Sequence, residues 1–213
     1  RYSSRAIKMK HFTSTGKNRA LVTGSAGFIG SHLVDKLLAS GYSVVGIDNF
    51  SLGTLSNIEH LSGQSNFTQI DIDLVDSSKL KDFFSNYNFD VIFHFAANSD
   101  VRLGSRDTSI DLKSNFYTTK NILENMVENQ ISKIVFASTS AIYGDLDGEI
   151  SEDQGPLFPT SLYGASKLAS EAFISTYSNL FDIQSWLFRF PNVVGPRLTH
   201  GVIFDFISKL KSN

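Results

Sequence analysis

Three glycines at three-residue spacing, Gly24-Ser-Ala-Gly27-Phe-Ile-Gly30, follow the apolar run Ala20-Leu-Val-Thr23 directly and open a stretch with helical periodicity through Ala39. A buried strand that enters a helix through so tight a turn is the first unit of a parallel βα sheet, which sets aside all-helical and antiparallel alternatives. The glycines meet separate demands. Gly24 permits the sharp turn, Gly27 lets the backbone approach a phosphate with no Cβ in the way, and Gly30 lets the helix lie close on the strand. A helix N-terminus at that point offers free N–H groups and the positive end of a dipole, so the turn suits a dinucleotide pyrophosphate.

The pattern then repeats: short runs rich in Val, Ile and Phe alternate with longer stretches of helical spacing, the mark of successive βαβ units. Strands are expected at Ala20–Thr23, Ser43–Asp48, Phe67–Asp71, Val91–Ala96, Lys133–Ser138 and Ile183–Phe190. Helices are expected at Ile29–Ala39, Ser78–Asn86, Ile110–Asn129 and Ser161–Asn179, with a last one over Phe204–Leu210. Right-handed crossovers arrange six such strands as an α/β doubly wound parallel sheet of order 3-2-1-4-5-6, with ligands at the carboxyl ends of strands 1 and 4. A length of 213 residues suits one such domain, over 19–213, preceded by a basic and polar tail over 1–18.

Composition narrows the partners. Lys and Arg number 19 against 21 Asp and Glu, so no basic surface for a phosphate backbone is expected, and nucleic acid is not a partner. The lack of cysteine excludes disulfides and thiolate metal sites, and no metal site is expected. No apolar stretch approaches the ~20 residues that span a bilayer, and the tail lacks the apolar middle of a signal peptide. The expected location is cytoplasmic, away from the membrane.

Two further groups carry chemistry. Asp48-Asn49 end the second strand about 20 residues past the glycine turn, where a carboxylate accepts hydrogen bonds from the ribose hydroxyls of adenosine and repels a 2′-phosphate, favouring NAD over NADP. Tyr163 and Lys167, in Ser161-Leu-Tyr-Gly-Ala-Ser-Lys, share one face of a helix. A phenol, with an ordinary pKa near ~10, becomes a competent base when a nearby ammonium and an oxidised nicotinamide favour the phenolate. Hydroxyls at the end of the fifth strand, Ser138-Thr139-Ser140, can relay or orient the proton. Together these residues read as redox chemistry on an alcohol.

In this order, Thr23-Gly-Ser-Ala-Gly-Phe-Ile-Gly30, Asp48-Asn49, Asp71-Ile72, His94-Phe-Ala-Ala97, Ser138-Thr-Ser-Ala-Ile-Tyr-Gly144, Tyr163-x-x-x-Lys167 and Arg189-Phe-Pro-Asn-Val-Val-Gly-Pro196 resemble the extended short-chain dehydrogenase/reductases, a Rossmann family, and within them the NAD-dependent nucleotide-sugar epimerases and dehydratases. The resemblance implies that Phe28 and Ile29 lie against the pyrophosphate, that Asp71 and Ile72 flank the adenine, and that Phe95, Ala96 and Ala97 line the cofactor. Ser114 or Asn115 would reach the nicotinamide side. Thr139, Tyr163 and Lys167 match the catalytic residues, with Thr139 and Tyr163 also on the substrate, and Asn192 matches the contact to the sugar nucleotide's phosphate. Pro191 departs from the aromatic or small residue usual beside that Asn.

Dehydratases of the family carry an Asp-Glu pair after the threonine, whereas this chain has Ser140-Ala141. The segment is more similar to UDP-glucose 4-epimerases, which oxidise the sugar at C4 and return the hydride to the other face. The resemblance therefore implies a UDP-hexose 4-epimerase with retained NAD, a UDP-sugar as substrate and a homodimer formed through helices such as Ile110–Asn129 and Ser161–Asn179. A sugar-nucleotide reductase, decarboxylase or 2-epimerase and a non-catalytic NAD-binding module are the alternatives. Members of the family continue into a substrate lobe that is largely missing here, so the chain is expected to be a fragment of a longer protein, inactive by itself.

Overall fold

In a computed structural model of the chain, residues 18–146, 148–199 and 201–211 are described. Apart from Asn18, the expected tail over 1–18 lies outside them. Six strands form one parallel sheet: β1 (Arg19–Thr23), β2 (Ser43–Asp48), β3 (Phe67–Asp71), β4 (Val91–His94), β5 (Lys133–Thr139) and β6 (Gln184–Phe190). Their order is β3-β2-β1-β4-β5-β6, as the alternation of strand and helix patterns required. Ala20 pairs with Val44 on one side and Val91 on the other, so β1 lies at the centre and the chain reverses its direction of travel between β1 and β4.

Helices cover both faces. Helix α1 (Phe28–Ala39) packs Val34 and Leu37 with Ala20, Val22 and Val44 on one side, where Ile58, between two short 3₁₀ turns, and Leu61, at the end of the second, close the cluster. On the other side α2 (Ser77–Asn86) brings Leu80, Phe83 and Phe84 against Leu21, Ile47 and Ile92. Asp76 caps α2 by accepting a hydrogen bond from the Lys79 amide at 3.1 Å.

Most boundaries shift by one or two residues, and three differences from expectation have a physical cause. Strand β4 stops at His94 rather than Ala96: the Phe95 amide divides between the Thr23 carbonyl and Thr23 Oγ1, each at 3.2 Å, and the Ala96 amide turns to that Oγ1 alone at 3.2 Å. A short helix, α3 (Val101–Arg106), was not expected; Asp100 caps it through the Arg102 amide at 3.0 Å, but its Gly104 and its length of six residues weaken any periodic signal. The long helix expected over Ile110–Asn129 is a rod of three parts: α4 (Ser109–Asp111), a π-helical segment (Leu112–Tyr117) and α5 (Thr118–Glu128). Hydroxyls account for the widening: Thr118 donates to the Ser114 carbonyl at 2.9 Å, and Thr119 donates to that of Asn115 at 2.7 Å. Such back-bonding competes with the backbone ladder, and π segments of this kind concentrate at functional sites.

Helix α6 (Leu162–Phe181) begins at Ser161, which caps it by accepting from the Gly164 amide at 3.0 Å. Its inward face is polar near the start, with Ser166, Lys167, Ser170 and Glu171 all buried. Arg189 of β6 grips Glu171 with Nε at 3.2 Å and Nη2 at 2.9 Å, while its Nη1 donates to the Tyr143 hydroxyl at 3.0 Å. That bidentate pair ties α6, β6 and the 3₁₀ turn Ser140–Tyr143 into one unit. The last helix is α7 (Val202–Lys211).

Gly30 is among the tightest contacts in the fold: a Cβ there would collide with the Gly24 carbonyl oxygen. Gly30→Ala is expected to cost about 3 kcal/mol, the upper end of overpacking penalties. Gly63→Ala, at φ +82° but with nothing within 4 Å of the new Cβ, is expected to cost only about 1 kcal/mol of backbone strain. Urea midpoints of the two variants at unchanged slope check the contrast.

Candidate active site

At the carboxyl ends of the strands, where β1 and β4 part, a cleft of about 830 Å³ runs from the end of β2 to the start of α6. Its middle is the glycine turn. Gly24 adopts φ +71°, and a Cβ there would lie 2.7 Å from the Ala96 amide nitrogen, so only glycine lets the first strand's end meet the segment after β4. Gly27 begins α1, and no side chain caps the helix. By helix geometry the amides of Phe28, Ile29 and Gly30 have no carbonyl to bond within the helix, and Phe28, Ile29, Gly27 and Gly30 all line the cleft.

The turn is held from the β2 side. Asp48 accepts from the Ala26 amide at 2.9 Å through Oδ2 and from the Phe50 amide at 2.8 Å through Oδ1, while the Ala26 carbonyl accepts from Asn57 Nδ2 at 2.8 Å. Burial pushes the Asp48 pKa up, the two amides oppose that rise, and Asp71 at the end of the neighbouring strand adds to it. Each carboxylate oxygen keeps one acceptor position beyond these bonds, and Asp48 and Asn49 both face the cleft.

Beneath the turn lies a buried histidine. His94, with no exposed surface, places Nδ1 2.7 Å from the Thr23 hydroxyl and Nε2 3.0 Å from that of Thr119. Thr119 already donates its only proton to the Asn115 carbonyl, so it accepts from Nε2–H, and Nδ1 accepts from Thr23. Burial, and secondarily the charge of Lys167, lower the imidazole's pKa to about 3, so it is neutral. In the sequence, an imidazole between apolar strand residues is the one signal of this role.

At the far end Thr139, the last residue of β5, meets α6. Its Oγ1 accepts from the Ala141 amide at 3.1 Å and it hydrogen-bonds with the Tyr163 phenol. Lys167, 2 % exposed, donates to the Ala137 carbonyl at 2.8 Å and places its ammonium nitrogen 4.6 Å from the centre of the Phe136 ring. Desolvation lowers the amine's pKa to about 7. Desolvation also pushes the Tyr163 phenol up, with the bond to Thr139 pulling the other way and the charge of Asp111 adding to the rise. The sequence suggested a phenol eased toward ionisation by its lysine; the protein's own groups hold it the other way.

Of the residues singled out from sequence, Gly24, Gly27, Phe28, Ile29, Gly30, Asp48, Asn49, Ile72, Phe95, Ala96, Ala97, Ser114, Thr139, Tyr163, Lys167 and Asn192 line this one cleft. Asp71 does not: it is exposed at the end of β3, and Ile72 and Asp73 face the cleft in its stead. Between the two candidates for the nicotinamide side, Ser114 lines the cleft while Asn115 is buried in a hydrogen-bonded cluster. Pro191 sits beside Asn192 on the cleft wall. Ser138, passed over in favour of Thr139, also reaches it; its Oγ is buried with no partner among the described residues.

The model of the NAD dependent epimerase/dehydratase family matches residues 20–213. The chain belongs to this family. A putative UDP-glucose 4-epimerase of Methanocaldococcus jannaschii is 38% identical over 198 residues, covering 91% of this chain and 63% of the relative. The dTDP-D-glucose 4,6-dehydratase of Homo sapiens is 34% identical over 200 residues, covering 92% and 57%. The solved UDP-glucose 4-epimerase of Thermus thermophilus in complex with NAD superimposes with a TM-score of 0.80 at 36% identity, covering 86% of this chain and 58% of that one. The chain thus spans about three fifths of the length of its relatives.

NAD is the cofactor of this epimerase/dehydratase family, and the residues present suit it. An uncapped helix N-terminus faces a backbone cradle that a Cβ at Gly24 would fill, a carboxylate stands at the end of β2, and an orphaned Ser138 hydroxyl lies along the wall. Among the described residues no helix is long and apolar enough to cross a membrane. The buried amine gives a testable pH signature. Its folded pKa of about 7 lies below the ordinary 10.5, so the unfolded chain binds an extra proton between those values and stability rises with pH across that window. Lys167→Met is expected to flatten that rise, measured as the urea midpoint between pH 7 and 10.

Proposed function

We propose that this chain is the cofactor-binding part of a UDP-hexose 4-epimerase that oxidises its sugar transiently at C4. The observation that carries the reading is the meeting of Thr139, Tyr163 and Lys167 at one end of the cleft, with Ser140 and Ala141 beside them. Neither of those two side chains is an acid or base. Eliminating water from the sugar needs both, and epimerisation needs neither.

The chain's own residues would act as follows. Gly27 and the open amides of Phe28, Ile29 and Gly30 bind the pyrophosphate, and Asp48 with Asn49 takes the adenosine ribose, where its charge disfavours a 2′-phosphate. NAD, when bound, would supply hydride acceptance and return for the oxidation at C4 and its reversal. Tyr163 takes the proton from the C4 hydroxyl as the carbonyl forms and returns it when the alcohol is restored. Thr139, bonded to the phenol, orients that proton. Lys167, fixed by the Ala137 carbonyl and the Phe136 ring, holds positive charge close by and reaches the nicotinamide ribose. Asn192 contacts the sugar nucleotide's phosphate.

Burial raises the phenol's pKa, so the positive charge of the oxidised nicotinamide is what favours the phenolate. An oxidised cofactor would therefore add to the pull of the Thr139 bond toward the phenolate. The same proposal includes a cytoplasmic homodimer. Phe173 of α6, 41% exposed, stands edge-on to Phe116 of the π segment, and Leu180 and Phe181 are exposed further along α6, an apolar surface suited to a second copy.

The full-length protein, incubated with UDP-glucose and with UDP-galactose, is expected to interconvert them with no added NAD and no build-up of reduced cofactor. Accumulation of a 4-keto-6-deoxy sugar or of NADH points to another outcome after the first oxidation and defeats the epimerase reading. Tyr163→Phe is expected to lower turnover by about 10²–10⁴-fold while retaining NAD. Undiminished turnover in that variant removes Tyr163 from the mechanism.

A further inference from the structure

Beneath the first turn of α6 lies a polar cluster that none of these steps uses. Asp111, the last residue of α4, is 1% exposed. Its Oδ1 accepts from Asn98 Nδ2 at 2.8 Å and from Asn115 Nδ2 at 3.2 Å, and its Oδ2 has no partner among the described residues. Asn115 links this carboxylate to α6. Its Nδ2 also donates to Ser166 Oγ at 3.0 Å, and Ser166 in turn donates to the Tyr163 carbonyl at 2.8 Å. Its Oδ1 accepts from the Asn98 amide at 2.7 Å, which closes the cluster onto the segment after β4.

Gly104 makes room for the acid. A Cβ at that position in α3 would collide with Asp111 Oδ2 and lie 3.7 Å from the Cβ of Leu162, the residue immediately before Tyr163. Helices α3 and α4, the π segment and α6 therefore meet around one carboxylate. A buried carboxylate with one unpaired oxygen is expensive, and an amide would satisfy Asn98 and Asn115 equally well. The property that an amide lacks is the negative charge.

We propose that Asp111 is a positioning residue for Tyr163: through Asn115 and Ser166 it fixes the first turn of α6, and its charge acts on the phenol. This inference rests on Tyr163 acting as the base. A group that removes a proton in one direction and returns it in the other must keep some affinity for it. Lys167 and an oxidised nicotinamide draw that affinity down, and Asp111 opposes them; its charge is among the causes that hold the Tyr163 pKa up. Of the other charged groups on the elements packed here, Arg106 of α3 and Lys113 of the π segment are exposed, and Lys167 of α6 donates to the Ala137 carbonyl. Arg102 of α3 pairs with Asp100 and Asp205, Arg189 of β6 pairs with Glu171 and Tyr143, and His94 of β4 is neutral.

The test is the Tyr163 titration itself, followed by carbon NMR of protein labelled at the tyrosine ring carbon that bears oxygen, with Tyr163→Phe assigning the signal. In Asp111→Asn the Tyr163 signal is expected to titrate at lower pH while the other tyrosines stay unmoved. A Tyr163 titration that coincides with wild type overturns the proposal. Should Asp111→Asn fail to hold its fold, Ser166→Ala decides: kcat of the full-length enzyme is expected to fall about tenfold with KM within about twofold, the cost of a misplaced base, and an unchanged kcat overturns the proposal. Wild-type protein that binds NAD without epimerising defeats the reading of function and leaves the NMR titration to decide this one.

Discussion

Three pieces of backbone meet where Gly24 and Gly30 have no side chains, and the site is assembled around that meeting. The end of β1, the segment after β4 and the first turn of α1 approach so closely that a single methyl at either glycine would strike main-chain atoms. Main chain gives way less readily than a flexible side chain, so the contact sets the distance between the helix N-terminus and the sheet. From that distance follow the open amides of α1, the reach of Asp48 to the Ala26 amide and the capture of the Phe95 and Ala96 amides by Thr23. The cleft of this epimerase/dehydratase family member is bounded by backbone on one side for this reason.

The other end of the cleft is governed by charge in a dry place. Lys167 gives up most of its hydration and recovers one carbonyl and the face of one aromatic ring, which leaves its amine titrating near neutrality. Tyr163 is held as a phenol by the same desolvation. Two groups whose ordinary values differ little are thus displaced in opposite directions, the amine down and the phenol up. Such divergence is characteristic of acid–base sites.

Strand order was legible because the alternation of apolar runs and helical stretches leaves few topologies once crossovers are right-handed. The residues lining the cleft were legible too, since a motif at the carboxyl end of a parallel strand has little choice of where to point. What escaped was set by tertiary hydrogen bonding. Strand β4 ends early where a threonine side chain three strands back in sequence, Thr23, takes the Ala96 amide. The π segment depends on where Thr118 and Thr119 send their hydroxyls, and nothing in the local periodicity records that. Asp71 was read as part of the adenine wall, yet it is exposed at the last position of β3, and the residues just beyond the strand, Ile72 and Asp73, face the cleft. Asp111 carried no signal at all, because one acid in a helical stretch looks the same whether solvated or buried.

The protons along Thr23, His94 and Thr119 all run the same way, from the end of β1 through the ring to the carbonyl of Asn115. Such a one-way wire cannot be reversed at a single link, since flipping one donor leaves two protons facing each other at the next. With an imidazole that stays uncharged until about pH 3, the wire keeps its polarity throughout the range in which cells live. The adenosine half and the reactive half of the cleft therefore rest on a common floor that acidity does not switch.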